Sequence, residues 1–230
     1  MKQTRFATLC AALGVVAFTH NSFSQLVTTN GSDSAENYGG SWGENSNQGT
    51  GFGPWILTFS QGSGGAGRFI GNPGSGGISG MSSNSFGLYA NPGNSGASAN
   101  AERTLSNSLA VGQTLSFQWA INWDSGGSGA KGFNLLAGGN EIFNINNGGS
   151  ETITMNGTNV NFGYGSTAMS WSFTRTATNT ILVTATGRNG TDRLSQNVTV
   201  ANGAIDRLKF YAWQLDGGDN RQPYFHNFLI

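Results

Sequence analysis

From about residue 52 to Ile230, short runs of large apolar residues are separated by Gly, Asn and Ser. The clearest run is residues 114–123, TLSFQWAINW. Leu115, Phe117, Trp119, Ile121 and Trp123 alternate there with Thr114, Ser116, Gln118, Ala120 and Asn122. A period of two places these sets on opposite faces of a β-strand. The aromatic set is therefore expected in a core, with Gln118 and Asn122 on the other face. Val111-Gly112-Gln113 leads in and Asp124-Ser125-Gly126-Gly127 leads out, both turn chemistry.

The same reading predicts strands over 55–60, 68–70, 86–90, 102–105, 114–123, 132–137, 141–145, 151–155, 160–164, 169–177, 180–187, 194–200, 208–215 and 224–230. Ala137-Gly138-Gly139-Asn140, Asn147-Gly148-Gly149, Asn156-Gly157 and Arg188-Asn189-Gly190 read as tight hairpin turns. Such turns need the positive φ that Asn-Gly pairs supply. No helical period of useful length occurs; residues 97–105 could form at most a helical turn. The stretch 62–85 is the longest irregular region. A meander of 12 to 14 strands must close or fold over. The predicted fold is all-β: a two-sheet antiparallel β-sandwich.

Lys2 and Arg5, the apolar stretch 6–18, and Ser22-Phe23-Ser24 before Gln25 read as a secretory signal over residues 1–24. The apolar stretch falls short of the roughly 20 residues of a membrane span. Leu9 before Cys10 speaks against a lipoprotein. Cleavage leaves about 206 residues, a size that single β-sandwiches reach. It also removes Cys10 and His20, so His226 becomes the sole histidine and neither disulfide nor thiolate chemistry remains. The 11 basic and 11 acidic residues become a net charge near −2 once Lys2 and Arg5 are lost. They are scattered, which excludes a basic nucleic-acid or anionic-membrane surface. Residues 25–51 are polar and read as a loose leader with Tyr38 and Trp42 as anchors; residues 52–230 read as one sandwich domain. The 37 glycines lack an every-third period, so they belong to turns and bulges rather than to collagen.

Phe52-Gly53-Pro54-Trp55, Phe86-Gly87-Leu88-Tyr89-Ala90-Asn91, Val111-Gly112-Gln113-Thr114-Leu115-Ser116-Phe117 and Tyr224-Phe225-His226-Asn227-Phe228 resemble secreted bacterial domains of the concanavalin A-like jelly-roll class, over about residues 50–230. The resemblance implies a sandwich used by lectins, carbohydrate-binding modules, glycoside hydrolases, polysaccharide lyases and adhesive domains. Lyases of this kind carry a Gln-x-His motif with a Tyr and an Arg, and one hydrolase family carries Glu-x-Asp-x-Glu; this chain has neither.

Gly62-Ser63-Gly64-Gly65-Ala66-Gly67 matches G-x-G-x-x-G, but Arg68-Phe69-Ile70 runs into Gly71-Asn72-Pro73-Gly74 and not into the helix that dinucleotide binding needs. No G-x-S-x-G occurs. His226 is expected to share a face with Tyr224 and Phe228 and reads as structural. Glycoside hydrolysis needs two carboxylates about 5 to 10 Å apart; Glu102 with Glu151 is the candidate pair. Asp216-Gly217-Gly218-Asp219-Asn220 offers Asp216, Asp219 and Asn220 as oxygen ligands for a structural Ca2+, with help from Asp33, Glu36 or Glu44; an exposed turn is the plainer reading. The Asn-x-Ser/Thr matches at Asn30, Asn156, Asn189 and Asn197 read mostly as turns.

In residues 208–215, Leu208, Phe210 and Ala212 alternate with Lys209, Tyr211 and Trp213. The second set places a cation and two amphipathic rings on an outward face. Sugar C–H faces stack on such rings while polar side chains fix the hydroxyls. Lys209, Tyr211 and Trp213 are the candidate glycan contacts, joined by Gln118 and Asn122 if the two faces adjoin. The chain is therefore expected to be a secreted, non-catalytic, lectin-like module for polysaccharide or cell-surface glycan. A structural or adhesive protein capable of self-association is the second reading, and a glycan-cleaving enzyme the third. With no anchor helix or sorting tail after the last strand, the chain is expected to be freely secreted or a piece of a longer protein.

Overall fold

The computed structural model describes residues 29–122, 129–201 and 204–230, the side chain of Asp219 excepted. The signal segment, its cleavage point and Trp123 lie outside the described residues. The strands are β1 (Ser32–Asp33), β2 (Phe52–Ser60), β3 (Gly65–Gly71), β4 (Ser85–Asn91), β5 (Ser98–Leu105), β6 (Thr114–Ala120), β7 (Ala130–Ala137), β8 (Asn140–Asn147), β9 (Ile153–Met155), β10 (Thr158–Asn159), β11 (Met169–Ala177), β12 (Thr180–Thr186), β13 (Arg193–Thr199), β14 (Arg207–Trp213) and β15 (Tyr224–Leu229). They form two antiparallel sheets, ordered β13-β12-β11-β6-β15-β4-β3, with β1 also on β15, and β10-β9-β8-β7-β14-β5-β2. This is the expected two-sheet jelly-roll sandwich. No helix among the described residues is long and apolar enough to cross a membrane.

The period-two pattern builds the core. Leu115, Phe117 and Trp119 of β6 face Phe133 and Phe210 of the second sheet, and Phe133 sits edge-on to Phe117 at 4.9 Å and to Trp171 at 5.3 Å. Phe210 of β14 stacks on Phe225 of β15 at 4.0 Å and 4°. Edge-to-face and offset contacts of this kind add to plain burial.

Several expectations need correction. The chain is not one long meander: hairpins join β3 to β4, β7 through β10, and β11 through β13, but the other neighbours are crossovers between sheets. Residues 97–105 form no helical turn; Ala97, Ala99 and Ala101 are buried and alternate along strand β5. Residues 160–164 are not a strand. Within the G-x-G-x-x-G match, Gly65, Ala66 and Gly67 already belong to β3, so a strand stands where a phosphate-binding helix is required.

The segment from residue 29 to 51 is part of the sandwich and not a loose leader. β1 pairs with the second half of β15, Ser32 with Leu229 and Asp33 with Phe228. Tyr38 and Trp42, the anchors named from sequence, are buried; the Trp42 ring lies 5.2 Å from Trp55 and 4.7 Å from Phe86. Asp33 is also buried and pairs with the buried Arg103 of β5.

Strand β15 departs from simple alternation. Its register to β6 shifts between His226 and Leu229, and Asn227 takes φ 56°. This bulge turns both Phe225 and Phe228 into the core. Phe228 therefore does not share the outward face of Tyr224 and His226.

Candidate functional site

β14 separates core from surface as its sequence predicts: Leu208, Phe210 and Ala212 are buried, while Lys209 and Tyr211 are half-buried and Trp213 is 49% exposed. β14 lies between β5 and β7 in the second sheet. Tyr211 sits opposite Asn100 on one side and Gly132 on the other, and Lys209 opposite Glu102 and Asn134. The Tyr211 ring lies across Gly132. A Cβ there would meet the Tyr211 hydroxyl at 2.6 Å and the Ile145 carbonyl at 1.9 Å, so only glycine leaves the ring its place.

The Tyr211 hydroxyl reaches two acceptors, Asn146 Oδ1 at 2.8 Å and the Ile145 carbonyl at 3.1 Å, and accepts from Asn144 Nδ2 at 3.3 Å. Asn144 also donates to Asn134 Oδ1 at 2.8 Å, and Asn134 donates to Glu141. Burial pushes the Tyr211 phenol up to about 12; the Asn144 hydrogen bond opposes the shift and the Glu141 charge adds to it. The ring stays neutral at ordinary pH and is held by three strands. Beyond it, Arg207 pairs with Glu102. The face thus offers a half-exposed indole, a fixed phenol, a lysine and a row of carboxamides.

Asn100, Asn134, Asn144 and Asn146 were not singled out in the sequence. The alternation of Phe143 and Ile145 with Asn144 and Asn146 carries the signal for two of them.

Gln118 and Asn122 do not join this face. Gln118 points outward from the first sheet, opposite Ser170 and His226, and donates to the Gly80 carbonyl at 3.1 Å. It lines a shallow groove of about 330 Å³ with Ser116, Ser170, Ser172, Thr186 and Arg193. Asn122 donates to the Gly76 carbonyl at the end of the same sheet. The two sheets' outer faces point away from one another, so Gln118 and Tyr211 cannot hold one ligand.

Asp216 pairs with Arg221 at 3.2 Å, and Asn220 is exposed. The proposed helpers are engaged elsewhere: Asp33 by Arg103, Glu36 by Ser82, and Glu44 by the Leu57 amide. Among the described residues no group of three or more His, Cys, Asp or Glu gathers to hold a metal. The Ca2+ set read from sequence is therefore not assembled by those helpers.

His226 is 7% exposed, with Nε2 3.5 Å from Glu36 Oε2. Burial lowers its pKa, which the Glu36 and Asp33 charges partly oppose. Glu102 and Glu151 are not paired: β14 and β7 separate β5 from β8, a gap of about 14 Å, and Glu151 lies beyond β8.

Neither a protein-family model nor a curated protein matches the chain. Among solved structures it is similar to the enzymatically active domain of tailspike protein 4 from bacteriophage CBA120, at 18% identity and TM-score 0.37. That match covers 76% of this chain and 19% of the tailspike domain, so the chain spans about a fifth of that length. It is similar to a carbohydrate esterase from Shiga toxin-encoding bacteriophage phi24B, at 14% identity and TM-score 0.45, over 76% of this chain and 88% of that one. It is also similar to the exoplasmic/lumenal domain of VIP36 bound to Ca2+ and Man3GlcNAc, at 10% identity and TM-score 0.40, over 76% and 83% of the two chains.

Proposed function

We propose that the chain is an exported, non-catalytic carbohydrate-binding domain that takes a polysaccharide or cell-surface glycan on the outer face of the second sheet. The observation that carries this reading is the half-exposed Trp213 indole, two residues along β14 from a Tyr211 ring locked by carboxamides. Trp42, Trp55, Trp119 and Trp171 are all buried. Residues two apart on a strand lie about 6.7 Å apart on one face, so the two rings form a short platform. Lys209 and Asn100 flank it within reach of sugar hydroxyls. The prior fixing of Tyr211 lowers the ordering cost of binding.

The test is binding of the full chain to immobilised polysaccharides and a glycan array. At least one glycan should be retained, and Trp213→Ala should weaken it about tenfold or more, roughly 1.4 kcal/mol. Binding that survives Trp213→Ala unchanged would overturn this placement. Release of reducing ends from the bound glycan would favour the enzyme reading instead.

A further inference from the structure

A second surface, at the edge where the two sheets meet, has the chemistry of an oligosaccharide cleft. It combines two contiguous grooves. One, of about 430 Å³, runs between the edge strand β13 and the short strands β9 and β10. The other, of about 330 Å³, continues along residues 159–164 to Arg188, and the two share Asn159 and Asn161. Volumes in this range suit small ligands.

The first groove is lined by neutral hydrogen-bonding side chains, among them Asn156, Asn159, Asn161, Gln196 and Asn197, all exposed. Met155, Val160, Leu194 and Val198 supply apolar surface between them. No charged residue lines this groove; the second is lined by one carboxylate, the exposed Glu151, and by the buried Arg188. Carboxamides that both donate and accept, over apolar patches, match a ring whose edges carry hydroxyls and whose faces carry C–H groups.

The second groove ends on an aromatic platform. Tyr164 is 45% exposed, and the buried Arg188 guanidinium lies 4.9 Å from its ring centroid. The Tyr164 hydroxyl donates to the Asn122 carbonyl at 3.2 Å. Arg188 in turn donates to the Gly163 and Glu151 carbonyls, bracing both walls. Gly165 lets the chain pass tightly here, because a Cβ would meet the Arg188 carbonyl at 2.4 Å. One ring face is thus held by a buried cation while the ring remains open to solvent.

We propose that this inter-sheet groove is a second binding cleft, taking a linear, uncharged oligosaccharide that stacks on Tyr164 and is hydrogen-bonded by the carboxamides of β13 and the 156–161 segment. The ligand class rests on the glycan-binding reading above; the residues are separate from the β14 face.

The test is titration calorimetry of the full chain with cellohexaose, mannohexaose and xylohexaose, and with an oligogalacturonate as the charged control. At least one neutral hexaose should bind. Tyr164→Ala and the double variant Gln196→Ala/Asn197→Ala should each weaken it about tenfold or more, while Tyr164→Phe leaves it within about twofold. Gln196 and Asn197 are exposed on an edge strand, so that double variant should melt like the parent and remain informative if Tyr164→Ala fails to fold. Loss of binding with Trp213→Ala alone would overturn the cleft and support the β14 platform. Absence of binding to every neutral hexaose, a preference for the oligogalacturonate, or a dimer burying β13 in sedimentation would also overturn it.

Discussion

Asp33 and Arg103 form a buried ion pair whose members are costly to leave unpartnered. Asp33 is 2% exposed, its carboxylate accepts from Tyr38 at 2.8 Å and from Asn37 at 3.1 Å, and it pairs with Arg103. The Arg103 guanidinium lies 4.9 and 5.0 Å from the Phe52 and Trp55 ring centroids. Removing one partner of a buried pair strands the other charge in a poorly solvated site, at about 3–5 kcal/mol. Asp33→Ala should therefore lower stability by that order, read as a drop in the urea midpoint at constant m-value. Burial raises the Tyr38 phenol to about 12, as it does Tyr211. A folded pKa above the unfolded value of about 10 gives stability that is complete below pH 10 and lost as pH rises toward 12. Near-ultraviolet absorbance should show these two tyrosines ionising late, and unfolding midpoints should fall in that window. His226 has the opposite sense: its lowered pKa means the unfolded chain binds the proton more readily, so stability is complete above about pH 6.5 and declines below it. His226→Gln should flatten that part of the profile. Of these residues, the sequence singles out Phe52, Trp55, Tyr38, Tyr211 and His226, but neither Arg103 nor its pairing with Asp33. Asp33 is named there only as a helper for a metal, because its partner lies 70 residues away and nothing local announces it.

At the level of single strands, alternation was a sound guide wherever one face is core and the other is not. β6, β11 and β12 lie within the stretches expected of them, and β14, which begins one residue earlier than expected at Arg207, sorts its apolar and amphipathic sets as its sequence implies. It failed where the backbone leaves the period. In β15 the bulge at Asn227 adds a residue, so Phe225 and Phe228 both enter the core three positions apart. Asparagine tolerates the left-handed region that this requires, whereas a β-branched residue does not. Asn227→Gly should change stability by no more than about 0.5 kcal/mol, and Asn227→Val should cost about 1–2 kcal/mol, both measured by urea unfolding. An Asn227→Val protein as stable as the parent would mean that the bulge is not a fixed feature of the strand. The turn at Asn156-Gly157 is where the sequence puts it, joining β9 to β10, but 160–164 is a loop and not the expected strand, for a related reason. Asn156 and Asn161 adopt φ 48° and 55°, which breaks the pattern into a two-residue strand and a loop. That break forms the wall of the cleft, so the cleft was invisible to a reading that looked for regular strands.

The crossovers decide the rest. Turn chemistry reports which neighbours in sequence form hairpins, but β14 between β5 and β7, and β15 between β4 and β6, join segments far apart in the chain. That is why the alternation of β14 was legible as one face, while the condition that Gln118 adjoin it was not: Gln118 lies in the other sheet. The same long-range logic governs the segment from residue 29 to 51, whose polar composition conceals how much of the core it closes. Ala35, Tyr38 and Trp42 are buried, Trp42 packs on Trp55, Phe86 and Phe225, and β1 completes the pairing of β15. Burying a large side chain contributes about 1.5–3 kcal/mol, and the Asp33 counter-charge adds a comparable or larger amount. Their sum is similar to the whole net stability of a typical domain, about 5–15 kcal/mol. A chain starting at residue 29 should therefore unfold in one cooperative step. A chain starting at residue 52 should show no such transition, because Arg103 is left unpaired and the Trp55, Phe86 and Phe225 rings meet water. Calorimetry of the two chains checks this, and a cooperative melt of the shorter one would show that the sandwich does not depend on its first strand.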